Sequence, residues 1–393
     1  MHSELHSHAP HNYAEPSLIR GGPFYRAQEA TRFIRAERWN MGCRIAVAIA
    51  ITWLPLVLIT ILTNIAGLPS LLRDYRVYSR LFLALPALLL GQALMESRFR
   101  MVVRHLSEAN LLDAANHERM CHTIGWLVRL RDSFVPELAI LVLLIAHSAA
   151  AEKHLVDATP WLAARQNDGF LMTPAGWYAV LVSASVFQFL LGLSLWKWLL
   201  WTFFAFNLSR LDMKLVPTHP DENGGLGFLG MTPIAFAPVV FAANCVIGAT
   251  WREEILSAKA NLMTFKLPAI ILVIIIALVS LGPLVFFVPR LGSLRRRGIL
   301  EYGILGQLHS QDFHEKWIHS RTGHEDEFLT APESSTLADF GQAYEKVKHL
   351  NPFPADKEAL IALLVAAAIP MVPPVLAAIP LKEVLKLLFE AIR

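Results

Sequence analysis

Charge is what this sequence has least of. Only 17% of its 393 residues are Asp, Glu, Lys or Arg, against roughly 25% in an ordinary soluble domain. The deficit is concentrated in long uncharged runs, which excludes an ordinary water-soluble globule. A formal net charge of +3 is too small to argue for nucleic acid as a partner. Cys43, Cys121 and Cys245 are the only cysteines, and no C-x-x-C occurs. That rules out a disulfide framework and a thiolate zinc site. The chain also lacks a nucleophile elbow, an H-E-x-x-H and a P-loop, so no cofactor is expected. The first apolar run begins at Ile45 and is too long for the core of a cleavable signal.

Long apolar runs are what the sequence does have. A helix needs about 20 apolar residues to cross roughly 30 Å of hydrocarbon. Seven segments qualify: 45–67, 81–96, 134–151, 177–200, 227–251, 268–289 and 359–381. The second is short, because Glu96 and Arg98 close it. With the N-terminus inside, 23 of the 35 Lys and Arg fall in inside segments and 11 in outside ones, leaving Lys197 within a span. Cytoplasmic loops collect positive charge, so the N-terminus is expected in the cytoplasm and the C-terminus outside. The fold class expected is an all-α integral membrane protein with about seven transmembrane helices.

Several helices should outrun the bilayer. Trp196, Trp198 and Trp201 read as an interfacial belt with Lys197 snorkelling among them. The apolar run nevertheless continues through "TFFAFNLSRLDMKL", and Phe203, Phe204 and Phe206 then need a cover. The amphipathic insert 97–133 and the helical segment 290–357 supply one, as a cytoplasmic helical layer. Residues 1–22 read as a disordered His-rich tail, 23–40 as a basic amphipathic surface helix, and 359–393 as the last span with a short amphipathic C-terminal helix. The lipid bilayer is the expected partner, with a second copy of the chain in a homo-oligomer.

The stretch "THPDENGGLGFLG" at 218–230 carries the G-x-G-x-x-G spacing of a dinucleotide turn at Gly225, Gly227 and Gly230. Such a turn needs a preceding strand. Here it lies between membrane helices, which leaves a tight turn packed under its neighbours, or a site where His219, Asp221 and Glu222 face an anion, proton or substrate. Gly225 and Gly227 would allow close backbone approach in either case. Ionisable groups in a bilayer are costly, so Glu96, Glu137 and His147 also count as pore or ligand candidates. Their plainer roles are an ion pair with Arg98 or Arg100, a helix-start acid, and a packing histidine. Seven prolines, from Pro55 to Pro374, bend five of the seven spans, which suits a pore and equally an irregular bundle. His309, His314, His319 and His324 recur every five residues and do not share a helix face, so no metal site is expected.

"GGPFYR" at 21–26, "LVPTHPDENGGLGFLG" at 215–230, "LVFFVPRL" at 284–291, "RRRGILEYG" at 295–303 and "IPLKEVLKLL" at 379–388 together resemble a group of bacterial multi-pass inner-membrane proteins. The resemblance implies a bacterial inner membrane and no chemistry; the outside C-terminus expected from the charge count would then be periplasmic. Three function classes stay open: a pore or transporter for a small solute or ion, a membrane-embedded scaffold or sensor for a cytoplasmic partner, and a membrane enzyme acting on lipid.

Overall fold

The computed structural model describes residues 17–30, 41–151, 159–166, 169–257, 260–319 and 332–378. The start of the His-rich tail, residues 31–40, His324 and the segment 379–393 lie outside these. Within them the chain is a helical membrane bundle. Six helices are long and apolar enough to cross a bilayer: α2 (Met41–Thr63), α4 (Tyr75–Glu108), α7 (Pro174–Arg210), α8 (Gly227–Ser257), α9 (Leu262–Val285) and α12 (Lys357–Ala378). Between them lie α1 (Pro23–Ala30), α3 (Leu68–Arg73), α5 (Ala114–Arg131), α6 (Val135–Ala151), α10 (Val288–His314) and α11 (Pro332–His349). The described strands are β1 (Ala163–Gln166) and β2 (Gly169–Met172), an antiparallel hairpin pairing Ala163 with Met172.

The segment at 134–151 is a helix of 17 residues, α6, about 25 Å long at 1.5 Å per residue. The chain changes face around it all the same. Asp132, at its start, bonds the N-terminal segment, whereas Trp161, beyond its end, donates from Nε1 to Asp74 at the opposite end of the bundle (3.1 Å). One face of the bundle therefore carries α1, α5, α10, α11 and the 211–230 turn, and the other carries α3 and the hairpin.

The second span is not short. It runs for 34 residues from Tyr75 to Glu108, with a wide turn at Ser79–Ala84 where Ser79 Oγ donates to the Cys245 carbonyl of α8 (2.8 Å). Glu96 and Arg98 do not end it: Glu96 pairs with Arg100 one turn on (2.6 Å) and Arg98 lies against the sulfurs of Met101 and Met231. About a third of the amphipathic insert 97–133, residues 97–108, is thus a continuation of this span, and α5 lies in the rest.

The extension of α7 is covered only in part. Phe204 is fully buried, edge-on to Phe99 of α4 (5.4 Å between ring centres). Phe203 is instead exposed, and Phe206 packs on Phe286. On the same face, α11 packs on α10 through two glycines. A Cβ at Gly298 would lie 2.8 Å from Val347, and one at Gly306 would lie 2.8 Å from Phe340.

Candidate functional site

Residues 17–22, read from sequence as the end of a disordered tail, are fixed in the bundle. Leu18 and Ile19 are buried. Gly22 has φ +91°, and a Cβ at Gly21 would collide with the Arg131 guanidinium. Arg131 donates to the carbonyls of Ser17 and Arg20, and Asp132 accepts from Gly22 N (3.0 Å) and pairs with Arg26 (3.0 Å). Burial pushes the Asp132 carboxyl up, but Arg131, the Gly22 N–H and Arg26 outweigh it and hold it below the ordinary value. The "GGPFYR" motif thus makes the bend that lets α1 start against α5 and α6.

Two of the sequence candidates meet here. Glu137 accepts the Phe24 N–H with both oxygens (2.9 and 3.2 Å). It is a helix-start acid, as its chemistry suggests, but it serves the first turn of α1 rather than its own helix. Glu96, almost fully buried, accepts from Ser17 Oγ (2.6 Å) and pairs with Arg100. Lys197 of α7 is within electrostatic reach of Arg44, Glu96, Glu137 and Arg131. It is only 8% exposed. The snorkelling role read from its tryptophan neighbours is therefore corrected: the Lys197 side chain is buried in the bundle and does not extend outward from it. Among the described residues it has no hydrogen bond and no ion pair within 4 Å. Sequence reasoning did not connect these residues, because they come from five separate segments.

Beside this charged knot opens a cavity of about 850 Å³. Val47, Ala48 and Ile51 of α2 form one wall, Leu138, Leu141 and Leu144 of α6 a second, and Leu181, Val186 and Phe189 of α7 a third. Its polar side chains gather at the α1 end: Gln28, Arg44 and Glu137, with Arg44 Nη2 donating to Gln28 Oε1 (3.1 Å). Ser185, farther along, is satisfied by its own helix. Ile51, Phe134, Leu138, Leu141 and Leu181 are exposed at the mouth, so the cavity opens sideways, where hydrocarbon would lie. The size falls in the range of roughly 300–1,000 Å³ that encloses most of a small organic ligand. His147 belongs to α6, and its side chain lies outside the described residues.

The glycine turn forms a separate structure on the same face. Asp221 accepts the backbone N–H groups of Asn223 (2.9 Å), Gly225 (3.1 Å) and Gly227 (2.8 Å), and His219 Nδ1 lies 2.7 Å away. Burial alone would raise the Asp221 carboxyl. The donors of Asn223, Gly227 and Gly225, with His219, hold it below the ordinary value. The Gly227 N–H is the first of α8, so the anion at this helix start is supplied by the protein itself. Glu222, Gly224 and Gly225 have φ of +54°, +64° and +96°. The Glu222 carbonyl accepts from Asn351 N (2.7 Å), its side chain is exposed, and the Gly230 carbonyl accepts from Asp356 N (3.4 Å). His219, Asp221, Glu222, Gly225 and Gly227 are thus brought together with one another and with 351–356, but not with Glu96, Glu137 or the cavity.

No family model, curated protein or solved structure matches the chain. The resemblance read from its motifs has no match behind it. Among the described residues no group of three His, Cys, Asp or Glu could hold a metal ion. The functional reading therefore rests on the cavity and the charges at its end.

Proposed function

We propose that this multi-pass membrane protein binds an amphiphile from within the bilayer, tail in the cavity between α2, α6 and α7 and head at the α1 end, and transports it or presents it within the membrane. The observation that carries this reading is the combination of an apolar, sideways-open chamber with its charged lining groups, Arg44 and Glu137, at one end only. A small hydrophilic ion or solute would meet leucine, valine and phenylalanine along most of that path. The bending prolines of the spans do not line the chamber, so they lend a pore no support. An anion-binding or proton-handling role for His219 and Asp221 has less behind it than their part in folding the turn, since the carboxylate spends its lone pairs on its own loop.

The chain fits the inner membrane of a bacterium with the α1 face in the cytoplasm, on the excess of Lys and Arg carried by that face. A homo-oligomer has one surface to support it: Leu300, Ile304 and Leu308 of α10 form an exposed stripe at four-residue spacing. Ile304→Asp should then lower the oligomeric mass measured by light scattering, and an unchanged mass would remove this contact.

The test of the binding reading is photo-crosslinking in membranes with an amphiphile bearing a diazirine along its chain. Adducts are expected on Ala48, Leu141 and Val182. Adducts spread evenly over outward residues such as Leu62 and Ile274 would contradict it.

A further inference from the structure

A second, much smaller cavity lies where α4, α7 and α8 meet, with Leu18 and Ile19 in its wall. We infer that it binds one small inorganic anion of the chloride class, with the Lys197 ammonium as counter-ion. The cavity measures about 20 Å³. A space of roughly 10–15 Å³ takes one water molecule, so a single atom-sized ligand fits and an organic one does not. The two cavities share no described lining residue, and the inference does not depend on the amphiphile reading.

The polar side chains that line this cavity are Arg98, Lys197, Trp198, Trp201 and Thr232, and what they have left to offer is mostly donors. Lys197 is buried and has no hydrogen bond among the described residues. Glu96 and Glu137 act on it from beyond 4 Å, and both carboxylates are engaged, Glu96 by Ser17 and Arg100 and Glu137 by the Phe24 N–H. The Trp201 Nε1 is buried without an acceptor. Arg98 lies against the Met101 and Met231 sulfurs (3.7 and 3.9 Å), with no carboxylate within 4 Å among the described residues. The other two donors are spent: Trp198 Nε1 on the Val279 carbonyl (2.8 Å) and the Thr232 hydroxyl on the Leu229 carbonyl (2.7 Å). A buried charge without a counter-ion is expensive, and so is a buried N–H without an acceptor. An anion answers both needs at once. A water molecule answers them less well, because it brings two hydrogens of its own, and among the lining oxygens of side chains only that of Thr232 could accept one.

The experiment measures binding of radiolabelled chloride to the full-length protein in neutral detergent, with gluconate as the background anion. The native protein should take up one chloride per chain, saturably. Bromide should displace it, and sulfate, too large for the space of one water molecule, should not. Lys197→Met should abolish the binding. Trp201→Phe, which keeps an aromatic ring and removes the N–H, should weaken it by roughly tenfold or more. Lys348→Met, at an exposed cation, should leave it unchanged. Absence of saturable binding to the native protein would overturn the inference, as would displacement by sulfate, or binding that survives Lys197→Met undiminished. The native isotherm and the competition by bromide and sulfate decide even if Lys197→Met fails to fold.

Discussion

Replacing Asp221 by alanine removes one acceptor from three backbone donors. The bonds run to Asn223, Gly225 and Gly227, and the last two belong to residues that are buried or half-buried. A hydrogen bond to a charged group contributes roughly 1.5–3 kcal/mol, and a buried donor left bare costs about 1–3 kcal/mol. Water can replace part of the loss, because the Asp221 side chain is 23% exposed. The expected cost is therefore on the order of 2–4 kcal/mol, less than the plain sum of three bonds. A shift of the melting midpoint on the order of 5 °C follows. Intrinsic tryptophan fluorescence during a thermal ramp in detergent reads it. Asp221→Asn keeps one carbonyl oxygen and should lose less than Asp221→Ala. The pH dependence has a fixed sign. The folded carboxyl lies below its ordinary value, so its contribution is complete above the unfolded pKa of about 3.9 and is lost as pH falls through the folded one. An Asp221→Ala protein that melts like the native one, with amphiphile binding impaired, would refute the assignment of this carboxylate to the turn.

Further outcomes follow from the same packing. Gly230→Ala should destabilise by more than about 1 kcal/mol, because its Cβ would lie 2.7 Å from the Pro354 carbonyl, whereas Gly125→Ala, with nothing within 4 Å, should be neutral or stabilising by up to about 1 kcal/mol. Thermal melts of the two compare them directly. Phe204→Ala should cost roughly 3–5 kcal/mol and Phe203→Ala little, since only the first is buried; equal effects would contradict the described face of α7. Glu137→Ala should free the first turn of α1 and speed proteolysis at Arg26, measured by mass spectrometry of the released fragment, and an unchanged cleavage rate would mean that this carboxylate does not hold the segment.

Hydropathy made the membrane helices readable, because a span must be apolar for its whole length. It misjudged α4, where charge was taken as an end. Arg100 and Glu96 pair on one helix face and leave the helix free to continue, and a residue-by-residue hydropathy count does not register pairing. Lys197 was misread for a related reason. Its tryptophan neighbours have the composition of an interfacial belt, but Trp198 and Trp201 are buried, facing the bundle. The glycine turn was legible as a backbone-defined element, since only glycine takes positive φ without strain, although its partners at 351–356 lie more than a hundred residues away. The cavity was not legible at all. Its walls are leucine, valine and isoleucine, the same residue types that face lipid elsewhere on these helices, and its few polar markers, Gln28, Arg44 and Glu137, come from three distant segments.

The most direct measurement of the central claim is a cryo-electron microscopy map of the protein in lipid nanodiscs, native and Ala48→Trp. The account predicts an elongated density between α2, α6 and α7 in the native map, ending in a head beside Arg44, and its loss when the indole fills the chamber. A native map in which the chamber is empty, or closed by α6 packed directly on α2, would contradict it.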